Sequence, residues 1–123
     1  MRPIEIGVAS GLVVLIGVLL YLAVGYQQRL ARDTQRLVAI RSVQASLETF
    51  RGARASYPAS IDAIPEVKNA GVAFAYAATP DGCGEDLETL CTGYTLTFQL
   101  EGAIGGLSGG RCTAGPQGIT CAK

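Results

Sequence analysis

The chain has 123 residues, a formal net charge of zero, 49% apolar residues and only 16% charged residues. A chain of this composition is not expected to be disordered, and its neutral balance does not favour binding to nucleic acid. It contains no histidine, which excludes histidine as a catalytic base or as a zinc ligand. We therefore predict neither an enzyme nor a cofactor, and a length typical of one domain.

The apolar residues are concentrated near the N-terminus. Residues 6–26 are almost wholly apolar, and no charged residue occurs from Ile6 to Gln28. As an α-helix this segment spans about 32 Å, which is enough to cross the hydrocarbon core of a bilayer. A cleaved signal peptide fits less well, because the stretch is long and has no A-x-A site. The sequence predicts a hydrophobic membrane helix over residues 1–28.

The helical pattern continues over residues 29–54, which contain no proline and no glycine before Gly52. Apolar residues recur there at spacings of three or four, which places them on one side of an α-helix. We expect the following stripe to pack against the rest of the chain: Leu37, Ile40, Val43, Leu47 and Phe50. The prediction is one helix from Pro3 to about residue 53, ended by Gly52 and then Pro58.

The remaining residues, 55–123, are predicted to form a small β-rich head. Alternating apolar and polar residues predict a strand over 93–101, the strongest in the chain. Weaker signals predict a helical turn over 60–64 and strands over 72–77, 111–114 and 118–121. The predicted fold class is therefore α+β, with a long N-terminal α-helix over about 3–53 packed against a small antiparallel β-sheet head.

All four cysteines lie in this head, which indicates an oxidised domain outside the cytoplasm. Four cysteines allow three pairings, of which we favour the neighbour pairs Cys83–Cys91 and Cys112–Cys121 because each closes a short loop. A zinc site is disfavoured because no C-x₂-C pair is present. Oxygen ligands suit calcium, so a weak calcium site is conceivable, although a solvated acidic loop is favoured. Its candidate ligands are Asp81, Glu85, Asp86 and Glu88.

Charge is divided between the two parts of the chain. Residues 29–54 carry six arginines against two acids, and residues 55–123 carry three basic residues against seven acids. Two solvated surfaces, or attraction between neighbouring copies, would each explain this division. The arginines after the apolar segment favour a cytoplasmic head, whereas the cysteines favour an external one. A basic leader removed ahead of Met1 would reconcile them.

Residues 3–6 (Pro-Ile-Glu-Ile), the apolar run after them, the amphipathic continuation and the disulfide-bonded head together resemble the type IV pilins and pseudopilins. The resemblance implies a structural subunit that is stored in the cytoplasmic membrane and polymerised through its N-terminal helix into an extracellular pilus. It implies as partners other copies of the chain, a leader peptidase that also methylates Met1, an assembly ATPase and a membrane platform.

Glu5 is the strongest candidate for a role in assembly. A carboxylate among packed apolar helices is costly unless it is paired, and the resemblance implies pairing with the amino terminus of Met1 in an adjacent copy. Alternatively, Glu5 is only favoured by the helix dipole or pairs with Arg2. Gly7 and Gly11 form a G-x-x-x-G pattern, which permits close helix packing or is a chance match.

Two other functions stay open from the sequence. The chain fits a pseudopilin of a type II secretion system, because the resemblance covers both kinds of subunit. It also fits a singly membrane-anchored extracytoplasmic binding module that does not polymerise. All three functions place the chain in the cytoplasmic membrane with its head outside.

Overall fold

A computed structural model describes residues 2–68, 70–84 and 88–122. It contains one long N-terminal helix and a four-stranded antiparallel sheet, which confirms the predicted α+β class. The elements in chain order are α1 (Pro3–Arg54), a 3₁₀ turn (Ile61–Ala63), α2 (Pro65–Lys68), β1 (Ala75–Thr79), β2 (Gly93–Leu100), β3 (Gly110–Gly115) and β4 (Gly118–Cys121). The chain divides into two compact units, Met1–Arg32 and Asp33–Lys123, so α1 contributes to both.

Helix α1 ends at Arg54, close to the predicted end at about residue 53. It continues through Gly52 to Arg54, and the residue that ends it is Ala55, which adopts a left-handed conformation with φ of 58°. The Ala55 N–H donates to the Arg51 carbonyl oxygen at 2.7 Å and so closes the last turn. Glycine weakens a helix by about 1 kcal/mol, but it ends a helix only where the chain leaves helical geometry, which Gly52 does not.

The sheet has the strand order β1-β2-β3-β4, with every neighbouring pair antiparallel. Strand β2 is the longest and pairs with both β1 and β3. One face of β2 is buried, and its residues are Tyr94, Leu96, Phe98 and Leu100, as its alternating sequence predicts. Gly115 pairs with Gly118, so β3 and β4 form a hairpin with the two-residue turn Pro116–Gln117.

Strand β1 lies later in the chain than predicted. The expected strand over 72–77 is replaced by Ala75–Thr79, whose pairing runs from Ala75 opposite Thr97 to Thr79 opposite Gly93. The chain bends at Gly71, where φ is 77°, and at residue 72, so the start of the predicted strand lies outside the ladder. The apolar pattern predicted a strand in this part of the chain but not its bounds.

The segment between α1 and the sheet contains one predicted and one unpredicted element. The helical turn expected over 60–64 is present as Ile61–Ala63, and the Ser60 side chain accepts a hydrogen bond from the Asp62 N–H at its start. Helix α2 was not predicted. It begins at Pro65, where proline lacks only an N–H that has no partner within the helix.

The core of the second unit lies between α1 and the sheet. Leu37, Ile40, Val43 and Leu47 are buried, and Phe50 is half-buried against the same cluster, as the helical periodicity predicts. Fully burying an aliphatic side chain stabilises a fold by about 1.5–3 kcal/mol, so this stripe is a major source of stability. The structure also contains the disulfides Cys83–Cys91 and Cys112–Cys121, which are the neighbour pairs favoured from the sequence.

Candidate assembly surface

The first part of α1 exposes apolar side chains on all of its sides. Between Ile4 and Tyr26 even the least exposed large apolar residue, Ile16, has 47% of its surface exposed. In the part of the chain that the structure describes, α1 is the one helix long and apolar enough to cross a membrane. An exposed apolar surface of this extent indicates contact with lipid or with other protein.

Glu5 lies in the first turn of α1 and is exposed. Its N–H donates to the Arg2 carbonyl oxygen at 3.0 Å, which closes the first turn. Glu5 is the only charged residue between Pro3 and Gln28, so its carboxylate stands alone in an otherwise uncharged segment. Met1 lies outside the described residues, and pairing between Glu5 and the Met1 amino group of a neighbouring copy stays a prediction.

The small residues near Glu5 leave the helix surface open. Apart from the adjacent backbone of the helix itself, a Cβ atom added at Gly7 or Gly11 would meet no atom within 4 Å. The lack of a side chain at these two positions lets a second helix approach closely. The Ser10 hydroxyl donates to the Ile6 carbonyl oxygen at 2.6 Å, and its polar group is therefore satisfied within the helix. These features suit packing in apolar surroundings.

The apolar part of α1 ends at an aromatic and charged boundary. Tyr26 is 56% exposed, and the guanidinium of Arg29 lies 5.3 Å from the centre of its ring. Tyrosine and arginine side chains are common at the level of lipid headgroups, where an apolar body and a polar tip are both accommodated. The first charged residue after Glu5 therefore coincides with the edge expected of a membrane-spanning segment.

Asp33 is a residue that the sequence reasoning missed. It is only 1% exposed, and its carboxylate accepts hydrogen bonds from the Glu101 N–H at 3.0 Å, the Gly102 N–H at 3.1 Å and the Arg36 guanidinium at 3.0 Å. Burial alone would raise the pKa of Asp33. The two backbone donors and Arg36 outweigh burial and hold that pKa below its ordinary value of 3.8.

These contacts of Asp33 attach α1 to the chain that follows β2. At Gly109, where φ is 82°, a Cβ atom would lie 2.6 Å from the Gly102 carbonyl carbon, so the glycine-rich loop closes tightly over the same point. A signal for Asp33 was present in the sequence, because it precedes Leu37 by four residues and Ile40 by seven. That spacing places its carboxylate on the buried side of α1.

Three further hydrogen bonds hold this region together. The Tyr57 hydroxyl donates to the Glu48 carboxylate at 2.6 Å, and the Gln44 amide donates to the Gly115 carbonyl oxygen at 3.0 Å. The Tyr76 hydroxyl donates to the carbonyl oxygen of Pro58 at 2.6 Å. The second part of α1 is therefore an integral element of the head, joined to it by polar contacts as well as by the core.

Some of the arginines that give residues 29–54 their excess positive charge contact other residues of the second unit. An Arg36 guanidinium nitrogen lies 3.8 Å from the Glu101 carboxylate, and Arg51 lies 3.8 Å from Glu48. The guanidinium of Arg54 lies over an aromatic ring of α1. Surface ion pairs of this kind contribute little stability, about 0–1 kcal/mol each.

The acidic residues considered for calcium do not form a described site. Asp81 and Glu88 are exposed, whereas Glu85 and Asp86 lie outside the described residues. Among the residues that the structure describes, no three histidine, cysteine, aspartate or glutamate side chains gather closely enough to hold a metal ion. The calcium site stays a prediction, because two of its four candidate ligands lie outside the described residues.

Comparisons with family models, with curated proteins and with solved structures give no match for this chain. The fold and the surface nevertheless define a structural class. It is an α+β protein whose N-terminal helix is long and apolar enough to span a membrane and whose head carries two disulfides.

Proposed function

We propose that the chain is the structural subunit, a pilin, of a type IV pilus-like filament, stored in the cytoplasmic membrane and polymerised through α1. The main support for this proposal is that apolar side chains between Ile4 and Tyr26 are exposed on all sides of α1. Lipid covers this surface before assembly, and the helices of neighbouring copies cover it in the filament. The head then faces outward and is accessible on the cell surface.

The position of Glu5 supports a polymer over a simple anchor. An anchor needs apolar length but no carboxylate, and an unpaired carboxylate in apolar surroundings is unfavourable by several kcal/mol. The amino terminus of an adjacent subunit offers a positive partner. That pairing would offset the free-energy cost of the Glu5 carboxylate only in the assembled state. It would also set the axial position of one subunit relative to the next.

The construction of the head supports the same function. Subunits of a filament transmit load from the helix to the head, and here the helix enters the core through Leu37, Ile40, Val43 and Leu47. Asp33 adds hydrogen bonds to the backbone beyond β2, and two disulfides close the loops of the head. This arrangement suits a head that stays folded while α1 is extracted from the membrane.

The test is Glu5→Gln in cells that express the chain. We expect the variant to remain in the membrane fraction and to be absent from sheared, sedimented surface material, whereas the wild-type chain is present in both. The matched control is Asp81→Asn, which removes an exposed carboxylate from the head and is expected to assemble normally.

Normal filaments from Glu5→Gln would refute the role of the carboxylate. Absence of the wild-type chain from all sheared material would refute the polymer and favour the singly anchored binding module. Mass spectrometry of the N-terminal peptide from sheared filaments tests the implied methylation of Met1.

A further inference from the structure

The apolar part of α1 determines the level of Arg29 relative to a bilayer. No charged residue occurs from Ile6 to Gln28, and at about 1.5 Å per residue this segment is about 34 Å long. The hydrocarbon core of a bilayer is about 30 Å thick. When the segment spans this core, Glu5 lies at one surface of the bilayer. Arg29 then lies at the other surface, at the level of the phospholipid headgroups.

The side chain of Arg29 is positioned by Tyr26. Its guanidinium lies over the tyrosine ring, 5.3 Å from the ring centre, so the ring covers one face of the guanidinium plane. The N–H groups of a guanidinium point outward within that plane, toward an acceptor beside it. No carboxylate among the described residues forms an ion pair with Arg29. Arg29 is therefore a positioned cation without an acidic partner in the described part of the chain.

The charges next to Arg29 in the sequence favour an anionic partner. Arg32 lies one turn further along the same side of α1 and is exposed. The next acidic residue is Asp33, which is only 1% exposed and whose carboxylate accepts three hydrogen bonds within the second unit. The accessible charges from Tyr26 to Asp33 are therefore those of Arg29 and Arg32, and both are positive.

We propose that Arg29, held by Tyr26, binds the phosphate group of an anionic phospholipid in the leaflet where the apolar segment ends, and that Arg32 adds to the attraction. A guanidinium binds phosphate through two parallel N–H donors, which supplies geometry as well as charge. The phosphate of a zwitterionic phospholipid is already paired with the cationic group of its own headgroup. Phosphatidylglycerol lacks that cation, so its phosphate is the better partner for a pair of arginines.

This inference rests on the membrane-stored state of the proposed function and not on the filament. A lipid bound at Arg29 would hold the apolar segment at one depth in the bilayer. Extraction of the chain then requires loss of the contact, so lipid composition and ionic strength should affect how readily the chain leaves the bilayer. A carboxylate of another protein is the alternative occupant, and it would give no preference between phospholipids.

The test is photo-cross-linking of the full-length chain to lipid in phosphatidylcholine vesicles. The vesicles contain a trace of diazirine-labelled phosphatidylglycerol or of diazirine-labelled phosphatidylcholine, and the yields of lipid-linked chain are compared. One arginine near an anionic lipid surface raises affinity by about fivefold. We therefore expect the phosphatidylglycerol yield to exceed the phosphatidylcholine yield by about fivefold or more at low salt. The ratio should fall toward one in about 1 M salt, because salt screens the attraction.

Variants separate a site at Arg29 from a general effect of charge. Arg29→Gln should lower the yield ratio by about fivefold. Tyr26→Leu should lower it by about two- to fivefold, because it removes the contact that positions the guanidinium. The matched control is Arg41→Gln, which removes the same charge from an exposed position in the second unit and should leave the ratio unchanged.

Two results would overturn the proposal and leave the proposed function intact. They are a ratio near one for the wild-type chain at low salt, and equal losses from Arg29→Gln and Arg41→Gln. Flotation of the vesicles provides the separate check on membrane storage. Absence of the wild-type chain from the floated vesicles would refute the membrane-stored state, on which both the lipid contact and the proposed function rest.

Discussion

Replacing Asp33 with alanine removes a buried carboxylate from three hydrogen-bond donors. The donors are the N–H groups of Glu101 and Gly102 and the guanidinium of Arg36, at 3.0, 3.1 and 3.0 Å. A hydrogen bond to a charged group contributes about 1.5–3 kcal/mol, so the two backbone bonds to the Asp33 carboxylate contribute about 3–6 kcal/mol. We expect a loss of about 3 kcal/mol, because water can enter the space that the carboxylate leaves and because the pair with the partly exposed Arg36 contributes little.

The assay is thermal unfolding of the purified full-length chain in a mild detergent, followed by near-ultraviolet circular dichroism. The chain contains no tryptophan, and the ring of Tyr94 lies 4.9 Å from that of Tyr57 and 6.3 Å from that of Tyr76, so the tyrosine signal reports on packing of the head. For a domain of this size, a loss of about 3 kcal/mol lowers Tm by roughly 12–24 °C.

The control for this experiment is Asp81→Ala, which removes an exposed carboxylate and should change stability by less than about 0.5 kcal/mol. If Asp33→Ala unfolds within a few degrees of the wild-type chain, the carboxylate does not hold the loop after β2, and the reasoning fails.

The pH dependence of stability gives an independent check on Asp33. Its pKa in the folded chain is held below the ordinary value of 3.8, so its contribution is complete above that value and is lost as the pH falls through the folded pKa. The wild-type head should therefore lose more stability on acidification than Asp33→Asn, which has no carboxylate to protonate. Parallel pH profiles for the two proteins would contradict the assignment.

Two other predictions concern the tyrosine cluster and the end of α1. Burial, with smaller effects from the neighbouring tyrosines, raises the pKa of Tyr76 to about 12, so its contribution is complete below the ordinary value of 10.0 and is lost as the pH rises through about 12. Alkaline titration followed by phenolate absorbance should show a late phase that coincides with loss of the near-ultraviolet signal; a single phase near pH 10 would contradict this. Ala55→Gly should raise stability by about 0.5–1 kcal/mol, because alanine is strained at a φ of 58°, whereas Ala53→Gly within the helix should lower it by about 1 kcal/mol. Equal effects of these two glycine substitutions on Tm would refute the left-handed cap.

The elements predicted correctly are those specified by short-range patterns. The spacing of Leu37, Ile40, Val43 and Leu47 identified the buried side of α1, and the alternation over β2 identified its buried face. The errors arose where tertiary contacts decide the outcome. The bounds of β1 depend on its pairing with β2, which the sequence of β1 alone does not specify.

The candidate surface was predictable only in part. Apolar composition and the isolated Glu5 identify the N-terminal helix as the surface to be covered, because exposure there follows from sequence alone. The spacing of Asp33 from Leu37 places it on the buried side of α1, but its hydrogen-bond donors could not be predicted, because they are backbone groups at residues 101 and 102, far along the chain.

The central claim is that this chain polymerises through its N-terminal helix. Cryo-electron microscopy of sheared surface material from cells that express the chain tests it most directly. We expect helical filaments built from this chain, with the apolar part of α1 in the interior and the disulfide-bonded head outside. Recovery of the chain only from membranes, as single copies and without filaments, would contradict it.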